Sequence, residues 1–106
     1  SQSNFPDLGV ARRLADLGRL EEAIALCQTY LSQNPMSAEA YVLLGQVHQA
    51  AAKEEQAEQY FQRAIYLEPN RYEALIHLAL LKEHRKDFAG AAILRQRIER
   101  LQRKIS

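Results

Sequence analysis

Apolar residues return every three or four positions along most of this chain, the period of an α-helix with one buried face. Six such stretches are separated by short polar or glycine-containing breaks. The first is predicted from about Pro6 to Leu17. Pro6 suits a first helical position, where the N–H it lacks would be unpaired in any residue. Gly9 makes this helix the weakest of the six. Gly18 takes positive φ at little steric cost and supplies the turn. The second stretch, Leu20 to Ser32, turns Ala23, Leu26, Cys27, Tyr30 and Leu31 inward and stops at Asn34-Pro35. Ser37 is placed to cap the third, Ala38 to Ala51. The fourth, Glu54 to Leu67, buries Ala57, Tyr60, Phe61, Ala64 and Ile65 before Glu68-Pro69 ends it. Asn70, followed three residues later by Glu73, has the form of a capping box. It opens a fifth helix that carries Leu75, Leu78, Ala79 and Leu81 inward to about Arg85. Asp87 caps the sixth, where Ala91, Leu94, Ile98, Leu101 and Ile105 recur at spacings of 3, 4, 3 and 4.

Shifting the chain by 34 residues brings Ala23, Ala57 and Ala91 into coincidence, with Ala11, Gly45 and Ala79, and with Val10, Leu44 and Leu78. Pro35 meets Pro69, and Arg103 takes their place in the third copy. Three copies therefore fit, at residues 4–37, 38–71 and 72–105. In the middle copy Tyr41, Leu44, Gly45, His48, Ala57, Phe61, Ala64 and Pro69 fall at offsets 4, 7, 8, 11, 20, 24, 27 and 32. That spacing resembles the tetratricopeptide repeat, a pair of antiparallel helices with small residues where they cross. The resemblance implies an all-α fold, three helix-turn-helix units stacked as a right-handed α-solenoid. The third copy departs from it. Arg95 stands where Cys27 and Phe61 do, and Glu99 where Leu31 and Ile65 do. Those positions pack on a following unit, and an unpaired buried charge costs several kcal/mol. The last helix is thus expected to be a solubilising cap that ends the array.

At 106 residues, 47% hydrophobic and 25% charged, the chain is expected to form one soluble domain over 1–106. No apolar run approaches the roughly 20 residues needed to span a bilayer, so no membrane insertion is expected. A single cysteine allows no intrachain disulfide and, with no basic-then-apolar leader, fits a cytoplasmic setting. The opening Ser1-Gln2-Ser3 reads as a fragment of a longer protein or the remnant of a tag. Charge is uneven: nine Lys/Arg face twelve Asp/Glu up to Leu94, whereas Arg95, Arg97, Arg100, Arg103 and Lys104 outnumber Glu99 in the last helix.

None of this composes a catalytic centre. The four glycines do not cluster into a phosphate-binding loop, and none of the three histidines has a nucleophile partner in sequence. Glu73, His77 and His84 share one helix, but ligands spread over three turns cannot converge on one metal. No catalytic residue, cofactor site or metal site is therefore expected. Cys27 reads as a small core residue, and the five tyrosines mostly as packing residues with one or two exposed. The basic last helix lacks an exposed aromatic interleaved for base stacking. A solvated charged face accounts for it, and nucleic acid is not the expected partner.

The resemblance instead directs attention to the concave surface lined by the first helices of successive repeats. Carried onto this chain, that groove comprises Leu8 and Arg12 from the first repeat and Glu39, Val42, Leu43, Gln46 and Gln49 from the second. The third contributes Glu73, Ile76, His77, Leu80, Glu83 and His84. Val42, Leu43, Ile76 and Leu80 are expected to be apolar groups facing outward, which suits an amphipathic helix or an extended peptide. Relatives that hold a chaperone's terminal carboxylate do so with Lys, Asn and Arg. The matching positions here are Leu8, Arg12, Leu43, Glu73 and His77, so that clamp is absent.

Two segments, Tyr66-Leu67-Glu68-Pro69 and Glu73-Ala74-Leu75-Ile76-His77-Leu78-Ala79-Leu80-Leu81, resemble the repeat module behind some bacterial chemoreceptor methyltransferases. That resemblance implies a parent enzyme that methylates receptor glutamates with S-adenosylmethionine, while this C-terminal module docks or regulates it. Its partner would be a chemoreceptor, a signalling protein or the parent's own catalytic domain. The alternative is an adaptor of a secretion or pilus assembly system.

Overall fold

The computed structural model describes residues 7–105 and, among them, six helices and no strand. They are α1 (Leu8–Asp16), α2 (Leu20–Gln33), α3 (Ala38–Ala50), α4 (Glu54–Leu67), α5 (Tyr72–His84) and α6 (Phe88–Ile105). The proposed opening at Pro6 and the inward placement of the Ile105 side chain lie outside the described residues. Each even-numbered helix folds back on the one before it, and the odd-numbered helices touch in series, α1 on α3 and α3 on α5. The result is the right-handed α-solenoid of three helix pairs expected from the repeat.

The same turn is built three times. Gly18, Ala52 and Lys86, each 34 residues apart, have φ of 80°, 63° and 67°. The amide that follows each one returns to a carbonyl five residues back: Arg19 N to Leu14 O at 2.9 Å, Lys53 N to His48 O and Asp87 N to Lys82 O both at 2.8 Å. This is the Schellman closure, which satisfies helix-end carbonyls and favours glycine at the left-handed position. Only the first copy uses one. Ala52→Gly and Lys86→Gly are each expected to raise unfolding free energy by roughly 0.5–1 kcal/mol, read from chemical denaturation, because they relieve a Cβ clash in the left-handed region.

Helix starts follow the sequence in two places and depart from it in one. Ser37 Oγ accepts from Ala40 N at 3.1 Å and Asp87 Oδ1 accepts from Gly90 N at 3.0 Å, each capping its helix. The Asn70–Glu73 capping box does not form. Arg71 occupies the N-cap position with no side-chain cap. Its guanidinium lies 3.0 Å from Glu68 and 3.7 Å from Glu73, so it draws the Glu73 carboxylate away from the reciprocal bond. Asp7 caps α1, its Oδ1 accepting from Val10 N at 3.0 Å.

Two apolar cores divide the molecule, and α3 contributes to both. Its Ala40, Leu43, Leu44 and Val47 close over α1 and α2 around Ala11, Ala23 and Cys27. Its Ala38 and Val42 join Ala57, Phe61 and Ala64 of α4 with α5 and α6. Ala23, Ala57 and Ala91 are buried where the paired helices cross, as the 34-residue register requires. Leu26, Tyr30, Leu31, Tyr60 and Ile65 pack at the edges of these cores and are only half-buried. A polar clip sits outside the second core. Glu58 receives Lys82 and Arg85, both at 2.9 Å, while Lys82 also reaches Asp87 at 3.2 Å. One carboxylate on α4 thereby fixes the α5–α6 turn.

Candidate binding groove

The groove is set by the odd-numbered helices, whose equivalent residues Arg12, Gln46 and Leu80 recur at one position of the repeat on α1, α3 and α5. Arg12 is half-buried and has no ion pair or hydrogen bond among the described residues. With Ala15, Asp16, Leu20, Leu43, Gln46, Val47 and Ala50 it lines an open cavity of about 150 Å³. Gln46 Oε1, buried there, has no hydrogen-bond partner within the described residues. An unpaired donor and an unpaired acceptor thus meet at one cavity. A buried polar atom without a partner costs about 1–3 kcal/mol, and a ligand supplying complementary groups recovers it.

Farther along, His77 stacks on Phe61 with ring centroids 5.6 Å apart and planes at 9°. Burial holds its pKa below the ordinary imidazole value; Glu73 opposes that shift and the Arg12 charge adds to it. His77 is therefore neutral at neutral pH. Leu80 is 48% exposed, and Ile76 is half-buried. Together they form the apolar end of the groove.

Several residues expected on this surface lie elsewhere. Val42 and Leu43 are 0% and 2% exposed, so they do not face outward as the repeat offsets suggested. Both sides of α3 are covered, Val42 by α5 and Leu43 by α1, and these side chains belong to the cores. Leu8 is buried for the same reason. Glu83 turns toward α6, where Arg95 holds it through two bonds of 2.9 and 3.1 Å. His84 bonds Glu54 of α4 at 2.7 Å. Glu39 is exposed at the rim, and Gln49 and Glu73 are half-buried. Glu73, His77 and His84 thus reach three different neighbours, and the described residues contain no group of three or more His, Cys, Asp or Glu placed to hold a metal.

Cys27 is fully buried, and burial pushes its thiol up to about 11, against a smaller lowering by Arg12. A thiol held protonated is a poor nucleophile. Of the tyrosines, Tyr41 and Tyr60 stack at 6.2 Å on the face of α3 turned to α4, while Tyr66 and Tyr72 are exposed.

Stacked helix pairs with an inner surface built from alternate helices define a helical-repeat interaction protein. The tetratricopeptide repeat model matches residues 14–80, and the chain belongs to that family. Among curated proteins it is 45% identical over 92 residues to one described as "probable biofilm formation methyltransferase WspC" from Pseudomonas putida KT2440, covering 87% of this chain and 22% of that protein. The namesake in Pseudomonas aeruginosa PAO1 is 43% identical over 88 residues, covering 83% and 21%. The chain spans about a fifth of the length of these curated relatives. Among solved structures, MamA from Desulfovibrio magneticus RS-1 superposes with a TM-score of 0.83 at 22% identity, over 89% of this chain and 53% of that one. At that identity the likeness concerns the fold. No described helix is long and apolar enough to cross a membrane.

Proposed function

We propose that this chain is the docking module of a larger chemosensory methyltransferase and that its concave groove binds a helix or extended peptide of a receptor or signalling partner. The reading rests on one observation above all: Arg12 and Gln46 offer a donor and an acceptor unsatisfied among the described residues at one cavity, with Leu80 exposed in line on the third odd-numbered helix. A backbone amide or a carboxamide of a bound segment supplies the acceptor and donor that they lack, and an apolar side chain covers Leu80 and Ile76. The partial match to WspC supports placing this module on a protein-glutamate methyltransferase that uses S-adenosylmethionine. Every catalytic and cofactor-binding group then lies outside residues 1–106, and the setting is cytoplasmic.

The test is titration of the cytoplasmic part of the cognate receptor against the whole parent enzyme carrying Leu80→Ser or Arg12→Gln. Each change is expected to weaken binding by about tenfold, the scale of one well-placed anchor or hydrogen-bonded charge. Both side chains are at least partly exposed, so thermal stability should hold. Unchanged affinity in both variants would remove the groove from the function.

A further inference from the structure

The outer face of α6 carries a second surface, which the groove does not use. On a helix, residues three, four and seven apart share a face. Ile93, Arg97, Arg100 and Lys104 follow one another at those spacings along a stripe about 16 Å long. Ile93 is 63% exposed. It stands at the apolar end of this stripe.

The three cations gather around one depression of about 120 Å³, completed by Asn70 and Leu101. Arg97 is fixed there by a bond from Nη2 to Pro69 O at 2.6 Å, and a carbonyl orients a guanidinium without neutralising it. Arg100 and Lys104 have no ion-pair or hydrogen-bond partner among the described residues. Nearby carboxylates are engaged or averted. Glu68 is held by Arg71 at 3.0 Å, and Glu99 lies on the other side of α6 with Tyr72 and Arg95. This contrasts with Lys82, Arg85 and Arg95, each of which meets a carboxylate at 2.9 Å. Like charges at helical spacing repel and cost a few tenths of a kcal/mol per pair. An anion in the depression reverses that cost.

We infer that this stripe docks an acidic segment of a partner protein, with carboxylates against Arg97, Arg100 and Lys104 and one apolar side chain against Ile93. Charge complementarity identifies the acidic side, and Ile93 identifies the class of partner. A single-stranded nucleic acid is held by aromatic platforms for its bases, and the stripe has none; a duplex offers phosphates to the cations but no apolar group to cover Ile93. A lipid surface needs a broad apolar face on the helix, which a single isoleucine does not provide.

The experiment uses fluorescence anisotropy on the full chain. The probe is a labelled amphipathic peptide with one leucine and three glutamates at helical spacing, compared with its glutamine counterpart, a short duplex DNA and anionic phospholipid vesicles. The acidic peptide is expected to bind. Arg100→Gln with Lys104→Gln should weaken it about tenfold, and Ile93→Ser should weaken it about threefold without altering its salt dependence. These side chains are exposed and Arg97 keeps its bond to Pro69, so the fold is unaffected. Leu80→Ser should leave binding unchanged, which separates this surface from the groove. The inference is overturned if the acidic peptide does not bind, or if its glutamine counterpart binds equally well. Tighter binding of DNA or vesicles, or loss of binding through Leu80→Ser and not through the α6 changes, overturns it too.

Discussion

Phe61→Ala is expected to cost about 3–5 kcal/mol of unfolding free energy, the range for deleting a buried aromatic ring whose cavity cannot collapse. Phe61 is the largest fully buried side chain. It sits where α4 meets α3 on one side and α5 on the other, in the core that holds the second and third helix pairs together. Its ring also carries the stacked His77. The substitution therefore removes apolar burial, opens a void and releases a groove residue at once. For a chain of this size the loss corresponds to a fall in Tm of roughly 15–30 °C. Phe61→Leu, which retains most of the volume, should cost far less. Equal effects of the two changes in thermal melts would show that the ring's volume is not what matters there.

Gly45→Ala presents the opposite fault at the same contact. A Cβ added to Gly45 would lie 2.6 Å from Phe61 Cδ1 and 2.8 Å from Cζ, well inside van der Waals separation, and the ring is itself fully buried. Replacing a helix-interior glycine with alanine ordinarily gains about 1 kcal/mol. Here overpacking, typically about 1–3 kcal/mol, is expected to exceed that gain and leave the variant less stable than the parent. The informative comparison is the double variant Gly45→Ala with Phe61→Leu. If the clash is the cause, the smaller side chain partly rescues the alanine, and the two changes combine to less than their sum. Strict additivity in urea denaturation would contradict this account.

Coincidence at the 34-residue spacing was enough to place Ala23, Ala57 and Ala91 at the crossings, because steric need at a helix contact repeats with the unit, whereas the packing of Gly45 on Phe61 is seen only in the structure. The Ser37 and Asp87 caps were legible for a similar reason, since each bonds an amide three residues away. The capping box at Asn70 failed on a competition that sequence spacing does not weigh, the pull of Arg71 on both Glu68 and Glu73. The larger misreading concerned Val42 and Leu43. Repeat offsets name a position, but exposure at that position depends on what lies to either side. On α3 both flanks carry another odd-numbered helix; on α5, which has one on a single flank among the described residues, Ile76 remains half-exposed at the offset where Val42 is buried. The clip of Glu58 with Lys82 and Arg85 left no trace in local pattern, because its partners stand 24 and 27 residues apart.

The sharing of α3 between two cores also bears on how such a chain can be recombined. Duplication copies residues 38–71 as a unit, yet burial does not respect that unit, since one face of α3 completes the core upstream and another founds the core downstream. A cassette exchanged at the sequence boundaries would carry half of each interface into foreign surroundings. A piece cut instead at the Gly18 and Ala52 turns, such as Leu20–Ala50, keeps α2 on α3 but parts α3 from α4, the pair that meets through Gly45 and Phe61. Neither cut leaves both cores whole, because α3 belongs to each of them.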